Sequence, residues 1–159
     1  MQYSEGRIGR VFAVRLEHGE PMPATLESFA AQQGVQSGLA IMVGGAEAGS
    51  KLVVGPEDGN TLPVTPMLAA LSGAHEVAAV GTLFPDEQGR PVLHMHAACG
   101  RRGTEAAVPH TITGCIREGI VTWQILEVIL IEITDLEARR VEDRATGFQL
   151  LQCGAQRQT

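Results

Sequence analysis

The chain has 159 residues, 44% of them hydrophobic and 19% charged, with a formal net charge of −6 and a pI near 5.3. That length fits one domain able to bury a real core, and the acidic balance argues against holding a phosphate backbone by bulk charge. Cys99, Cys115 and Cys153 are an odd number with no CxxC pair, which suits thiols in a reducing compartment better than a disulfide framework.

Residues 1–10 are polar and do not read as a signal peptide. Residues 11–16 read as a first strand and His18-Gly19-Glu20 as a turn, with His18 exposed. Met22, Leu26, Phe29 and Ala30 then recur at helical spacing, and Gly34 supplies a left-handed stop. This predicts one amphipathic helix over 23–33. The apolar run 39–43 ends in Gly44-Gly45-Ala46. It resembles a phosphate loop at first glance, but it lacks dinucleotide or Walker spacing and no helix follows it. Close backbone packing or a tight turn is the better reading. Residues 51–54 form a short strand closed by the turn-rich 55–60.

Strands are expected at 68–71, 75–84 and 92–99, the last two joined hairpin-fashion across 85–91. A polar loop, 100–107, carries Arg101, Arg102 and Glu105. Strands at 111–117 and 121–134 follow, broken at Glu118-Gly119, and 139–152 reads as a last hairpin turning near 143–147. Many strands with one early helix predict an α+β fold built on a mainly antiparallel sheet, a single domain over 8–152 with termini 1–7 and 153–159. The longest apolar run, 125–133, is interrupted by Glu127 and Glu132 and is too short to span a bilayer. A cytoplasmic protein without a membrane partner is the expectation.

The chemistry concentrates in Pro91-Val92-Leu93-His94-Met95-His96 and, fourteen residues on, Val108-Pro109-His110. On a strand, His94 and His96 project from one face. His110 shares its own face with Ile112 and Gly114. If the two strands pair antiparallel, the three imidazoles can converge, with Cys99 and Cys115 on the other face as structural thiols. Three histidines without a fourth ligand describe an open metal site, suited to zinc, iron, nickel or copper, at which hydrolytic chemistry is physically available. The bland alternative is that histidines at i and i+2 are packing residues. His75, beside Glu76 at a strand start, reads first as a surface or packing residue and second as a further ligand. Glu76 and Glu105 are the carboxylates to examine as a general base, on proximity in the hairpins alone. Arg101-Arg102 and Arg139-Arg140, the only basic pairs, read as solvated loop and edge-strand charges. One tryptophan, one tyrosine and four phenylalanines offer little for base stacking.

In order, Ser72-Gly73-Ala74-His75-Glu76-Val77, Gly81-Thr82-Leu83, Leu93-His94-Met95-His96, His110 and Glu127-Val128 resemble the plants and prokaryotes conserved (PPC) domain. The early strand, the helix, Gly44-Gly45-Ala46, Asp143 and Thr146-Gly147 follow the same scheme, so the resemblance covers roughly 8–152. One departure is Val108-Pro109-His110-Thr111, where the family often has Gly-Gly-His-Leu. The resemblance implies a compact α+β domain that assembles as a homotrimer. It also implies a divalent transition metal, zinc first, on His94, His96 and His110, with a small-molecule ligand at the metal. Two alternatives stand beside that reading. One is a DNA-binding or regulatory protein, as the family label says, although the chain lacks the AT-hook of plant members. The other is a non-catalytic assembly module with its histidines at a subunit interface. The sequence names no substrate and leaves open whether the protein is an enzyme.

Overall fold

The computed structural model describes residues 1–102 and 110–154. Alternating apolar and polar residues dominate the chain and fold as strands: β1 (Arg7–Glu17), β2 (Pro21–Met22), β3 (Gly38–Ala46), β4 (Lys51–Pro56), β5 (Pro66–Ala70), β6 (His75–Pro85), β7 (Pro91–Arg101), β8 (His110–Cys115), β9 (Ile120–Thr134), β10 (Ala138–Asp143) and β11 (Phe148–Cys153). Helix α1 (Ala24–Gln33) follows β2, and a 3-10 turn (Ile116–Glu118) joins β8 to β9. Gly34 ends α1 in the left-handed region at φ 68°, its N–H donating to the Ala31 carbonyl. The strand expected over 111–117 stops at Cys115, where the 3-10 turn takes over.

Every described pairing is antiparallel. The main sheet runs β1-β9-β3-β6-β7-β8-β4-β5, with β2 paired to β9, and β10 and β11 form a separate hairpin. One face of the sheet carries the core. Leu16, Met42, Leu83, Leu93, Met95, Leu126, Val128 and Leu130 are buried there, and α1 lays Leu26 and Ala30 onto the same cluster. Glu27 of α1 accepts the Leu93 N–H at 2.8 Å. That donor lies beyond the end of the β7–β8 ladder, so the helix supplies the partner that a neighbouring strand does not.

The opposite face is open, and a single row crosses it through the registered pairs: Ala13, Ile129, Ile41, Val80, His96, Cys115 and Val53. The β10–β11 hairpin folds over part of this face. Arg140 holds it there, donating from Nη2 to the Thr82 carbonyl and hydroxyl, both at 3.0 Å, and from Nε to the Val92 carbonyl at 3.3 Å. This corrects the expectation of a solvated Arg140, which is 4% exposed. The alternation of β10 aims it at the sheet, and its guanidinium lies over Phe84, the guanidinium carbon 5.7 Å from the ring centre. The Gly44-Gly45 step is a bulge against β9, with Gly44 at φ 134°. A Cβ on Gly45 would lie 2.5 Å from the Trp123 carbonyl, so close backbone packing is indeed what these glycines serve.

Candidate metal centre

β7 presents His94 and His96 on the open face, as the i, i+2 spacing requires. Their Nε2 atoms are 3.2 Å apart and their rings meet edge to face, with centres at 5.1 Å. Directly across the ladder from His96 stands Cys115, the last residue of β8, and Val53 of β4 pairs with Cys115 on its other side. The ligand atoms of His94, His96 and Cys115 all lie within 4.8 Å of one another. Gly114 makes this placement possible. A Cβ there would run into the Val53 carbonyl oxygen and lie 3.0 Å from its carbon, so only glycine lets β4 approach β8 closely enough to seat Cys115 in the row.

The expected third imidazole is elsewhere. His110 pairs with Arg101, five pairs along the ladder from His96 and Cys115, about 17 Å at the strand rise. The register also puts it on the other face of the sheet, beside His75, with ring centres 6.1 Å apart. His75 is 2% exposed, and its Nδ1 lies 2.8 Å from the Gly73 carbonyl oxygen. It therefore belongs to the core side and stands away from the cluster. The expectation that both cysteines avoid the histidines' face holds for Cys99, whose buried thiol is pushed up to about 11 by desolvation, and fails for Cys115. Glu76 shares the open face but pairs with Gly100, four residues along β6 from the Val80–His96 pair. Glu105 lies outside the described residues.

The electrostatics favour neutral imidazole at His94. Its pKa is lowered, first by burial, then by the charges of Arg140, His96 and Arg117. Neutral imidazole is the form that binds metal. Two hollows meet at the cluster. His96 lines one of about 320 Å³, His94 lines another of about 480 Å³, and Cys115 lines both. The larger hollow is roofed by β11 and also takes in Arg117 and Arg140. Sequence reasoning placed Arg140 among solvated charges, because nothing in Ala138–Asp143 marks position 140 as inward-facing, and it did not single out Arg117. Two imidazoles and a thiol can together coordinate a borderline-soft ion, and the adjacent hollow and cations can admit a small ligand beside it.

Similar folds occur among solved structures. A metal-containing protein from Archaeoglobus fulgidus superposes with TM-score 0.78 at 18% identity, covering 94% of this chain and 98% of that one. A plant- and prokaryote-conserved protein from Pyrococcus horikoshii gives 0.72 at 17% identity, over 94% and 99%. A Bacteroides thetaiotaomicron protein whose name carries DNA binding as a supposition gives 0.71 at 16% identity, over 96% and 98%. At these identities the likeness is one of fold. No curated protein matches the chain in sequence. The model of the Plants and Prokaryotes Conserved (PCC) domain matches residues 3–134, a span that carries α1, both histidines of β7 and Cys115, and the chain therefore belongs to the PCC domain family.

Proposed function

We propose that the chain is a metal-binding PCC-domain protein that holds one divalent transition-metal ion, zinc first, through His94, His96 and Cys115, and that it works as a homotrimer. The observation that carries the reading is the convergence of three ligand atoms within 4.8 Å on one face of the sheet. The donor set fits: imidazole nitrogen and cysteine sulfur are both zinc ligands, and three protein ligands leave a fourth position for water or substrate. When bound, such an ion supplies Lewis-acid polarisation of whatever occupies that position. The chain's own contribution is to hold His94 neutral by burial and nearby cations, and to fix Cys115 between His96 and Val53. His110 is the donor this reading sets aside, and the metal-containing archaeal neighbour lends the reading indirect support.

The test is elemental analysis of full-length protein prepared without a histidine tag, then loaded with zinc and dialysed. About one zinc per chain is expected. Cys115→Ala and His96→Ala should each weaken zinc binding at least tenfold, while His110→Ala should leave it within twofold. A metal content unchanged in His94→Ala plus His96→Ala protein sinks the assignment. The number three is what the family resemblance implies, and the exposed aliphatic row of the open face supports assembly as such, since monomers rarely expose a contiguous apolar patch of this kind. The nucleic-acid reading rests on a neighbour's name against a net charge of −6. Its measure is a salt titration, and absence of DNA affinity at low salt removes it.

A further inference from the structure

We infer that the hollow beside His94 and Cys115 is an oxoanion site in which Arg117 and Arg140 take the carboxylate or phosphate group of a small organic anion. Phe148 and Leu150 receive its apolar body. The inference rests on the metal reading only for what lies at the open coordination position; the arginines stand apart from any ion.

Arg140 is 4% exposed. Its Nε and Nη2 are spent on Thr82 and Val92, and its Nη1 meets no acceptor among the described residues. Arg117 makes no side-chain hydrogen bond among those residues and stacks on Phe148, its guanidinium carbon 4.9 Å from the ring centre. No carboxylate of the described residues lies within 4.0 Å of either guanidinium. Arg10, by contrast, closes on Glu132 and Arg90 on Asp86, each at 2.7 Å, whereas Arg140 is the buried arginine with no such partner among the described residues. A buried cation is costly unless it is paired; Arg140 is such a cation, and Arg117, which lines the same hollow, is exposed. The pKa of Arg140 is lowered by burial first and by the charge of Arg117 second. Two acidic groups stand near. Glu118 lines the same hollow and offsets one charge of the two. Glu27, which Arg140 also feels, accepts the Leu93 N–H. Among the residues that line this hollow of about 480 Å³, Arg117 and Arg140 against Glu118 leave one positive charge, with Glu27 facing both arginines from the adjoining hollow; the volume is within the range of small-molecule sites. The guanidinium fork is shaped for carboxylate and phosphate oxygens. Tethering the hairpin accounts for the hydrogen bonds Arg140 makes; it does not account for Arg117 beside it.

The test uses the full chain, tag-free, in stripped and zinc-loaded forms, by isothermal titration calorimetry at low ionic strength. The probes are benzoate, phenyl phosphate, inorganic phosphate and the neutral benzyl alcohol. Benzoate or phenyl phosphate should bind the stripped protein at least tenfold more tightly than benzyl alcohol. Arg117→Gln should remove that preference, and Arg117→Lys should restore part of it, with an unchanged circular dichroism spectrum showing that the variants fold. Anions that bind no better than benzyl alcohol, or a preference unmoved in Arg117→Gln, overturn the inference. Inorganic phosphate binding as tightly as phenyl phosphate overturns the assignment of an organic ligand. Anion preference in a protein that takes up no zinc supports the arginine site and discards the metal reading. Zinc uptake without anion preference does the reverse.

Discussion

On the face of the sheet opposite the cluster, Glu132 is an acid held by several hydrogen bonds. It is 8% exposed, on the core face of β9. Its Oε2 accepts the Arg10 Nε–H at 2.7 Å and the Arg10 backbone N–H at 3.0 Å, while Oε1 accepts Nη2 at 2.7 Å. These hydrogen bonds, side chain first, hold its pKa at about 2, against an ordinary value of 4.5. A carboxyl whose pKa is depressed on folding stabilises the fold above its unfolded value, and that stability drains as pH falls through the folded one. The Glu132 contribution is therefore complete above about pH 4.5 and disappears toward pH 2. Arg10 is half exposed, so solvent screening cuts the effect to on the order of 1 kcal/mol. Glu132→Gln should melt a few degrees lower than the parent at pH 7, and the gap should close as pH drops from 4.5 to 2.5. A constant gap over that interval would show that packing, rather than ionisation, sets the difference.

Between the strands, the outcome turned on a register. Apolar runs identified β6, β7 and β9 as strands, the helical spacing located α1, and the i, i+2 histidines were legible as a shared face. What the sequence leaves undecided is how β8 lies against β7. A slip of one residue turns every side chain of a strand to the opposite face. The observed pairs all join an even-numbered residue to an odd-numbered one, which turns Cys115 toward the histidines and His110 away. That parity goes with the docking of β4 on β8, which is a tertiary fact. Gly114 is where it is enforced, because β4 closes on β8 only in the absence of a Cβ. Gly114→Ala should cost about 1–3 kcal/mol by overpacking and weaken zinc binding along with stability, as Cys115 is displaced. Gly59→Ala is the control: a Cβ there meets nothing within 4 Å, and the change should stay within about 0.5 kcal/mol. Urea unfolding and a zinc titration on both variants check this. Equal costs at the two glycines would mean that the β4–β8 contact does not hold the site. Arg140 was hidden for a related reason: its burial comes from the hairpin's docking onto β6 and β7, which the pattern of β10 does not encode.

For the molecule as a whole, the open face poses a problem that the single chain does not solve. Val11, Ile41, Val43, Val80 and Ile129 are all exposed there. Ile129, Ile41 and Val80 are consecutive members of the row that continues into His96. Burial of each such side chain is worth about 1.5–3 kcal/mol, a gain that works against the entropy of association when chains cover one another's rows. Each chain carries −6, and like charges repel across any such contact until salt screens them. Light scattering of the tag-free protein should therefore report a mass near three times the 16.9 kDa chain, with the assembly tightening from 20 mM to 300 mM salt. Ile41→Glu combined with Val80→Glu should yield a folded monomer, because both positions face outward in the single chain and the fold does not need them. A dispersed monomer at every salt concentration in the parent protein would remove the trimer. The row also ties assembly to the candidate metal centre, since Val80 pairs with His96. Covering Val80 shields one side of the ligand cluster, and the double variant should then surrender zinc to a chelator at least several-fold faster than the parent. Equal release rates from trimer and monomer would place the metal outside the assembled interface and leave its retention to His94, His96 and Cys115 alone.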